Sequence, residues 1–248
     1  MIAGSRVAPE RAFERAVLIY SPVWMAAVAV VMRSGMLAHW RDPEHLLFGL
    51  GLALPVLLMP FTIGDVEHRS PVHQRYAARA VLYVLVTTVV QVLLGSWLFF
   101  QAFGMEYRFH TRWVWNGSPV FLYPMTLAYF ATYFVLLQLG ARALALPETG
   151  ARRWLTLAVL SYAVAFAETL VMATPILAEF FGYRDKRFML LYGSFCYGTV
   201  FFATLPGFLR LSAPRSLGRV ALEALFANAV VLALYGAYAR VLPQLPRP

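Results

Sequence analysis

A single glutamate in the middle of a long apolar stretch is the residue whose position most strongly suggests chemistry. Glu168 is the only charged residue between positions 154 and 178. A carboxyl group in the hydrocarbon core of a bilayer is costly, and ionisable groups there are usually functional. Because burial disfavours the charged form, we expect a neutral acid that could donate a proton to a substrate. The alternative is a structural hydrogen bond to a polar side chain of another helix.

Other polar candidates stand near the ends of apolar stretches. Asp65, Glu67 and His68 form a short run that is either a solvated turn or a polar site at the mouth of a cavity. Glu44 and Glu179 are further polar candidates. Glu179 would share the helical face of Glu168, about 16 Å further along the helix, at the membrane exit.

Aromatic side chains inside the apolar stretches could border the same site. Tyr129, Tyr133, Phe195 and Tyr197 are positioned where a π face could receive a flat hydrocarbon or stabilise a cation. Packing and interfacial belts account for most of the remaining aromatic residues.

The elements that must position these residues are membrane-spanning helices. Of the 248 residues, 60% are hydrophobic and only 13% are charged, about half the charged fraction of a soluble protein. A helix of about 20 apolar residues crosses the hydrocarbon core, and seven stretches with at most one charge each approach or exceed that length. They are residues 16–32, 46–64, 80–105, 113–141, 154–178, 188–209 and 220–239.

We therefore predict an all-α fold, a polytopic membrane helix bundle of seven transmembrane helices. Six helices are the alternative, with the first segment lying in the interface. A cleaved signal peptide is a further interpretation of that segment, but apolar residues continue beyond its candidate cleavage site, which favours retention. Residues 1–248 would form one integral membrane domain, with residues 1–12 as a poorly structured tail.

The positions of the charged residues and the histidines indicate which classes of partner to expect. The net charge of +9 comes from bases at helix ends, where they meet lipid headgroups, so no nucleic acid is expected. The distribution of these bases favours a cytoplasmic N-terminus. Five histidines are scattered over three loops, and therefore no metal site is predicted.

Seven short segments occur in an order typical of one enzyme family. The block at 161–169 has a Ser-Tyr pair, then Ala-Phe, then Glu168-Thr169; the others are 20–24, 44–50 (followed by Pro55 and Pro60), 75–76, 104–109, 206–210 and 219–225. Together they resemble cycloeucalenol cycloisomerase, a membrane enzyme of sterol biosynthesis. The chain departs from the family where the fourth helix has histidines, since residues 121–134 contain tyrosines instead.

The resemblance implies an isomerase that opens the cyclopropane ring of a cyclopropyl sterol, converting cycloeucalenol to obtusifoliol or a similar pair, without a cofactor. Glu168 would donate the proton. The proton acceptor would be its conjugate carboxylate, Tyr162 or a group of residues 65–68. Glu44, Glu179 or residues 65–68 would bind the sterol hydroxyl near the lipid headgroups. The implied partners are a sterol and membrane lipid, in a bacterial inner membrane or, in a eukaryote, the endoplasmic reticulum. An isomerase of another sterol or triterpenoid, or a non-catalytic sterol-binding or transport protein, is the alternative.

Overall fold

The structure is a computed structural model that describes residues 8–63 and 71–242, most of them helical. The α-helices are α1 (Pro9–Arg33), α2 (Asp42–Thr62), α3 (Pro71–Val90), α4 (Trp97–Phe103), α5 (Leu122–Ala143), α6 (Gly150–Met172), α7 (Lys186–Phe188), α8 (Ser194–Phe208) and α9 (Leu217–Val241). The short strands are β1 (Met105–Tyr107), β2 (Val114–Trp115), β3 (Ser118–Pro119) and β4 (Phe181–Tyr183).

Seven helical rods within the described residues are long and apolar enough to cross a membrane. The third rod joins α3 to α4 through a π-helical segment, Gln91–Gly95. The sixth joins α7 to α8 through another, Met189–Gly193. The chain is thus an all-α bundle with the architecture of a multi-pass membrane protein, and the prediction of seven spans is confirmed.

Three helix boundaries differ from those predicted. Helix α1 begins at Pro9, a residue suited to a first helical turn, so residues 9–12 are helical and not part of a tail. Helix α5 begins at Leu122 because β2 and β3 precede it, joined by Asn116 and Gly117 with positive φ, the sequence favoured in tight hairpin turns. Helix α6 ends at Met172, before Pro175, which disfavours helical geometry in the residue that precedes it.

Helix α5 is the centre of the bundle and packs against α1, α2, α3, α6 and α8. Its buried side chains point in several directions, as expected of a helix with neighbours on most sides. Helix α6 is peripheral: it packs mainly on α8 and α5. Its other face is exposed, as at Leu155, Val159, Leu170 and Val171.

Three connections join on one side of the bundle, and we refer to residues 34–41, 104–121 and 173–185 as the cap. Strands β1 and β4 pair antiparallel, which ties the second connection to the third. The Asp42 carboxylate accepts hydrogen bonds from Thr111 and from the backbone N–H of Arg112 at 2.7 Å. Leu37 and Phe180 are buried together in a small apolar cluster. The cap therefore closes the ends of α1, α2, α5 and α6 as one folded unit.

Candidate functional site

Glu168 lies in the last turn of α6, directly beneath the cap. The helix ends at Met172, four positions after Glu168, which is about 6 Å further along the axis. The expectation that Glu168 lies in the middle of its span is therefore wrong, because α6 ends six residues earlier than the apolar stretch does. The carboxyl group is enclosed by helices and by the cap together.

Helix register brings α5 to the level of Glu168. Gly140 of α5 lies against Leu160 of α6, where an added Cβ would approach the leucine to 2.8 Å. The two helices run antiparallel. Glu168 is eight residues after Leu160 on α6, so it is level with position 132, eight residues before Gly140 on α5 and next to Tyr133. Tyr133 thus faces the glutamate because the α5–α6 connection is short and the helices pack closely.

Helix α8 reaches Glu168 by a second close contact. Gly198 lies against the backbone of Ser161, 3.3 Å from the added Cβ to the carbonyl oxygen. Glu168 is seven residues after Ser161, so it is level with position 191, seven residues before Gly198. This position is inside the π-helical segment Met189–Gly193. Helical side chains lean towards the N-terminus of their helix, so Tyr197 leans towards this level. Single-turn π-segments frequently occur at functional sites.

The carboxyl group of Glu168 is only partly satisfied. The hydroxyls of Tyr133 and Tyr197 approach it as hydrogen-bond donors. Its Oε2 atom is buried and has no hydrogen-bond partner among the described residues, and none of the ion pairs described there includes Glu168. Of the eight buried side-chain atoms without a partner among the described residues, it is the only one that belongs to a carboxyl group, and such an atom calls for an explanation.

Two tyrosines of the cap complete the enclosure. In the β1–β4 pair Tyr107 lies opposite Phe181 and Met105 opposite Tyr183, so all four side chains share the inner face while Glu106 is exposed outside. Tyr107 and Tyr183 are within electrostatic range of Glu168. Burial raises the pKa of each above the usual tyrosine value, and the nearby glutamate adds to this, so both are neutral phenols at neutral pH.

Aromatic rings form the walls beside the tyrosines. Tyr129 packs on Trp24 of α1 with ring centroids 4.6 Å apart. Phe201 contacts Tyr133 at 5.9 Å and Tyr197 at 5.2 Å. These faces could stabilise positive charge that develops in a bound molecule. The site combines one carboxyl group, neutral phenols and aromatic faces, the set needed to protonate a hydrocarbon and hold a cation.

The enclosed residues are not completely buried by their neighbours. Glu168 and the tyrosines at 107, 129, 133, 183 and 197 each retain partial exposure, although helices and the cap surround them. We refer to the site that these six residues form as the chamber. A chamber with an unpartnered carboxyl oxygen has the composition expected of a ligand site, mostly apolar with few polar groups.

One side of the chamber lies close to the exposed surface of the bundle. On α5, Thr132 is covered by α1 through hydrogen bonds with Ser21 at 2.8 Å and Trp24 at 3.0 Å, while Gly140 is covered by α6. Leu136 lies between these two contacts, about 40° around the helix from each, and is 44% exposed. The surface of α5 between α1 and α6 is therefore open beside its two chamber tyrosines.

Four of the predicted site residues are not in the chamber. Tyr162 is about 120° around α6 from Glu168 and stacks on Phe166. Phe195 is 56% exposed and packs on Tyr238 of α9. These residues do not meet the carboxyl group.

The two outlying glutamates have other positions. Glu44 is exposed and accepts a hydrogen bond from the Arg41 backbone N–H at 2.9 Å, which caps α2. Glu179 is exposed in the cap and does not lie on α6, because the helix ends at Met172. Asp65, Glu67 and His68 lie outside the described residues.

Comparison of the chain with family models, with characterised proteins and with solved structures finds no match. The function of the chamber must therefore be inferred from its own residues. Of these, Glu168, Tyr129, Tyr133 and Tyr197 are brought together as predicted.

Tyr107 and Tyr183 are the chamber residues that sequence reasoning missed. They meet because β1 pairs with β4, two segments of three residues each separated by 73 residues of chain. Strands this short carry almost no periodic signal. The one local sign is Gly104, whose φ of 58° ends α4 and starts β1.

Proposed function

We propose that this protein is a membrane isomerase that opens the cyclopropane ring of a cyclopropyl sterol, of the cycloeucalenol to obtusifoliol type. The observation that carries the proposal is the buried, unpartnered Oε2 of Glu168 in a chamber of neutral tyrosines. The resemblance to cycloeucalenol cycloisomerase supports it, since Glu168 lies inside the closest matching block. In this proposal Glu168 is protonated at neutral pH, because a lone carboxyl group in an apolar site is favoured in its neutral form.

The reaction starts with transfer of the Glu168 proton to the methylene carbon of the ring. The strained C–C bond breaks, its electron pair forms the new C–H bond, and a tertiary cation remains on the ring carbon. Loss of a proton from an adjacent ring carbon then gives a double bond. One proton enters and one leaves, so the product is an isomer and no redox partner is needed.

The chamber suits both steps. A strained C–C bond is a weak base, so the acid must be held against it in a site that excludes water. Tyr133 and Tyr197 fix the carboxyl group, while the faces of Tyr197 and Phe201 would stabilise the cation. The conjugate carboxylate of Glu168 is our candidate to accept the second proton. Tyr162, the other candidate within the described residues, is turned away from the site.

A sterol would enter from the bilayer. Sterols partition into lipid, and the exposed surface of α5 at Leu136, between α1 and α6, offers a lateral route to Tyr129 and Tyr133. No opening to water is required for such a substrate. Blocking the route with a larger residue at this position would raise the apparent KM more than it lowers the rate at saturation.

Sterol binding without catalysis is the second candidate function. An unpartnered carboxyl oxygen could form a hydrogen bond with a sterol hydroxyl, in which case Glu168 would be a binding group and not an acid. An isomerase of another sterol or triterpenoid is a variant of the first candidate, favoured by the tyrosines that replace the histidines of the resembling family. These candidates differ in whether a bound sterol is recovered unchanged.

Composition supports a proposed location. Twenty arginines against one lysine favour a GC-rich bacterial genome and hence the bacterial inner membrane. In a eukaryotic cell the corresponding location would be the endoplasmic reticulum.

The test is conversion of a cyclopropyl sterol by membranes that contain the protein, in ordinary and in deuterated water. Protonation by Glu168, which exchanges with solvent, predicts a product with one deuterium in the new methyl group. Membranes containing Glu168→Gln should give no product above background. The same substitution retains the size of the side chain but cannot donate the proton.

The outcomes separate the candidates. A product without deuterium in the methyl group would exclude protonation of the ring by a group whose proton exchanges with solvent. Full conversion by Glu168→Gln would retain the isomerase and remove Glu168 as the acid. A sterol recovered unchanged from folded wild-type protein would favour binding without catalysis.

A further inference from the structure

A second cleft lies at the opposite end of the bundle from the cap, between α1 and the end of α5. It has a volume of about 710 Å³, and its lining residues are Arg11, Glu14, Arg15, Leu18, Ile19 and Arg142. It shares no residue with the chamber. Its composition, three guanidinium groups beside two aliphatic side chains, is unlike that of any other part of the molecule described above.

The side chains that line this cleft carry more positive than negative charge. The Glu14 side chain is 5% exposed and pairs with Arg142, so its charge is neutralised by the third arginine. Arg11 and Arg15 are exposed, and neither guanidinium has a hydrogen-bond or ion-pair partner between residues 8 and 63 or 71 and 242. Two positive charges therefore remain for an anion.

Helix geometry places the two free guanidinium groups together. Arg11 and Arg15 are four residues apart on α1 and hence on one face. Within one further turn, about 6 Å, the lining changes to Leu18 and Ile19, which are 40% and 62% exposed. A transition from cationic to exposed apolar surface over one turn matches the boundary between phosphate groups and acyl chains in a bilayer.

We propose that this cleft binds an anionic glycerophospholipid, with its phosphate between Arg11 and Arg15 and an acyl chain along Leu18 and Ile19. The Glu14–Arg142 pair forms the floor and holds α1 against α5. A zwitterionic lipid fits less well, because its cationic group would meet the two arginines. The site is independent of the reaction assigned to Glu168.

Native mass spectrometry of the protein in neutral detergent tests this assignment. Phosphatidylglycerol or phosphatidylcholine of the same acyl chains is added, and the occupancy of the first bound lipid is measured. The wild type should retain phosphatidylglycerol preferentially. Each basic residue near an anionic lipid contributes about fivefold in affinity, so Arg11→Gln/Arg15→Gln should weaken phosphatidylglycerol binding on the order of 25-fold.

The matched control removes the same net charge elsewhere. Arg152→Gln/Arg240→Gln changes two exposed arginines outside the cleft and should bind phosphatidylglycerol as the wild type does. Equal binding of the two lipids by the wild type, or equal losses in the two double variants, would overturn the proposal. Displacement of the lipid by millimolar inorganic phosphate would also overturn it, since that outcome assigns the cleft to free phosphate.

Discussion

Two regions of the bundle bury hydrogen-bonding side chains between spanning helices, and they treat those groups differently. Between α3 and α9, Gln91 donates to the Asn228 side-chain oxygen at 2.8 Å, and Asn228 donates to Thr87 at 3.2 Å and to the Ala224 carbonyl at 2.8 Å. In the chamber, Glu168 keeps an oxygen without a partner. We refer to the first region as the amide pair.

Both regions adjoin a π-helical segment, so helix distortion does not distinguish them. The segment Gln91–Gly95 supplies Gln91 itself, and the segment Met189–Gly193 is level with Glu168. The two regions differ in hydrogen bonding and in exposure. Gln91 and Asn228 are hydrogen-bonded to each other and buried, whereas Glu168 has an unpartnered oxygen and the chamber residues are partly exposed. A buried polar group whose hydrogen bonds are made holds helices together. A partly exposed group with an unpartnered atom remains available to a ligand.

The largest effect should come from Glu168→Gln. Loss of a general acid lowers the rate by about 10²–10⁴-fold, while the free energy of unfolding should change by less than about 1 kcal/mol because shape is preserved. Sterol conversion and thermal unfolding in detergent measure the two. If Glu168→Gln were strongly destabilised but kept its turnover per folded molecule, Glu168 would be a structural group like those of the amide pair. That result would contradict the contrast between the two regions.

Asn228→Ala should show the opposite pattern. It leaves the buried Gln91 and Thr87 groups without their partner, which costs about 1–3 kcal/mol of stability, and turnover per folded molecule should stay unchanged. The double variant Gln91→Leu/Asn228→Leu removes both polar groups and should recover most of that loss. A turnover defect in the double variant would show that the amide pair takes part in function.

Tyr197→Phe should have a smaller effect on activity. It removes one hydroxyl that orients the Glu168 carboxyl group, worth about 1 kcal/mol, and so about fivefold in rate. Tyr235→Phe is the matched control, because its hydroxyl is also buried but has no partner in the described structure. That control should retain full activity, and equal losses in both variants would point to packing and not to orientation.

The smallest effect concerns alkaline pH. Burial raises the pKa of Tyr107 and Tyr183 in the folded protein, so their contribution to stability is full below about pH 10 and declines as pH rises above it. Tyr107→Phe/Tyr183→Phe should therefore reduce the alkaline loss of stability in thermal unfolding. Tyr192→Phe, at a residue 52% exposed, is the control, and an equal reduction there would contradict the explanation.

The bundle and four of the six chamber residues could be predicted from the sequence, for physical reasons. Apolar length predicts spans because lipid selects for it, and Glu168 is conspicuous because a membrane carboxyl group is costly. Tyr129, Tyr133 and Tyr197 could be proposed because they lie inside spans. Which of them face Glu168 depends on helix register, set by contacts such as that of Gly198 with Ser161, and these contacts leave no local pattern.

The errors have a common cause as well. Phe195 is predicted to border the site but is exposed, because hydropathy does not distinguish a core face from a lipid face when both are apolar. Glu179 and the end of α6 were misplaced because an apolar stretch continues into the cap. Tyr107 and Tyr183 were missed since strand pairing across long sequence separation has no local signature.

The most direct test of the central claim is the protonation state of Glu168 in the folded protein. Infrared difference spectra of wild type minus Glu168→Gln, at neutral pH in lipid, report the carbonyl stretch of a protonated carboxyl group. Our account predicts that this band is present in the wild type, absent in the variant and shifted when a cyclopropyl sterol is added. A difference spectrum that contains only carboxylate bands would contradict the account.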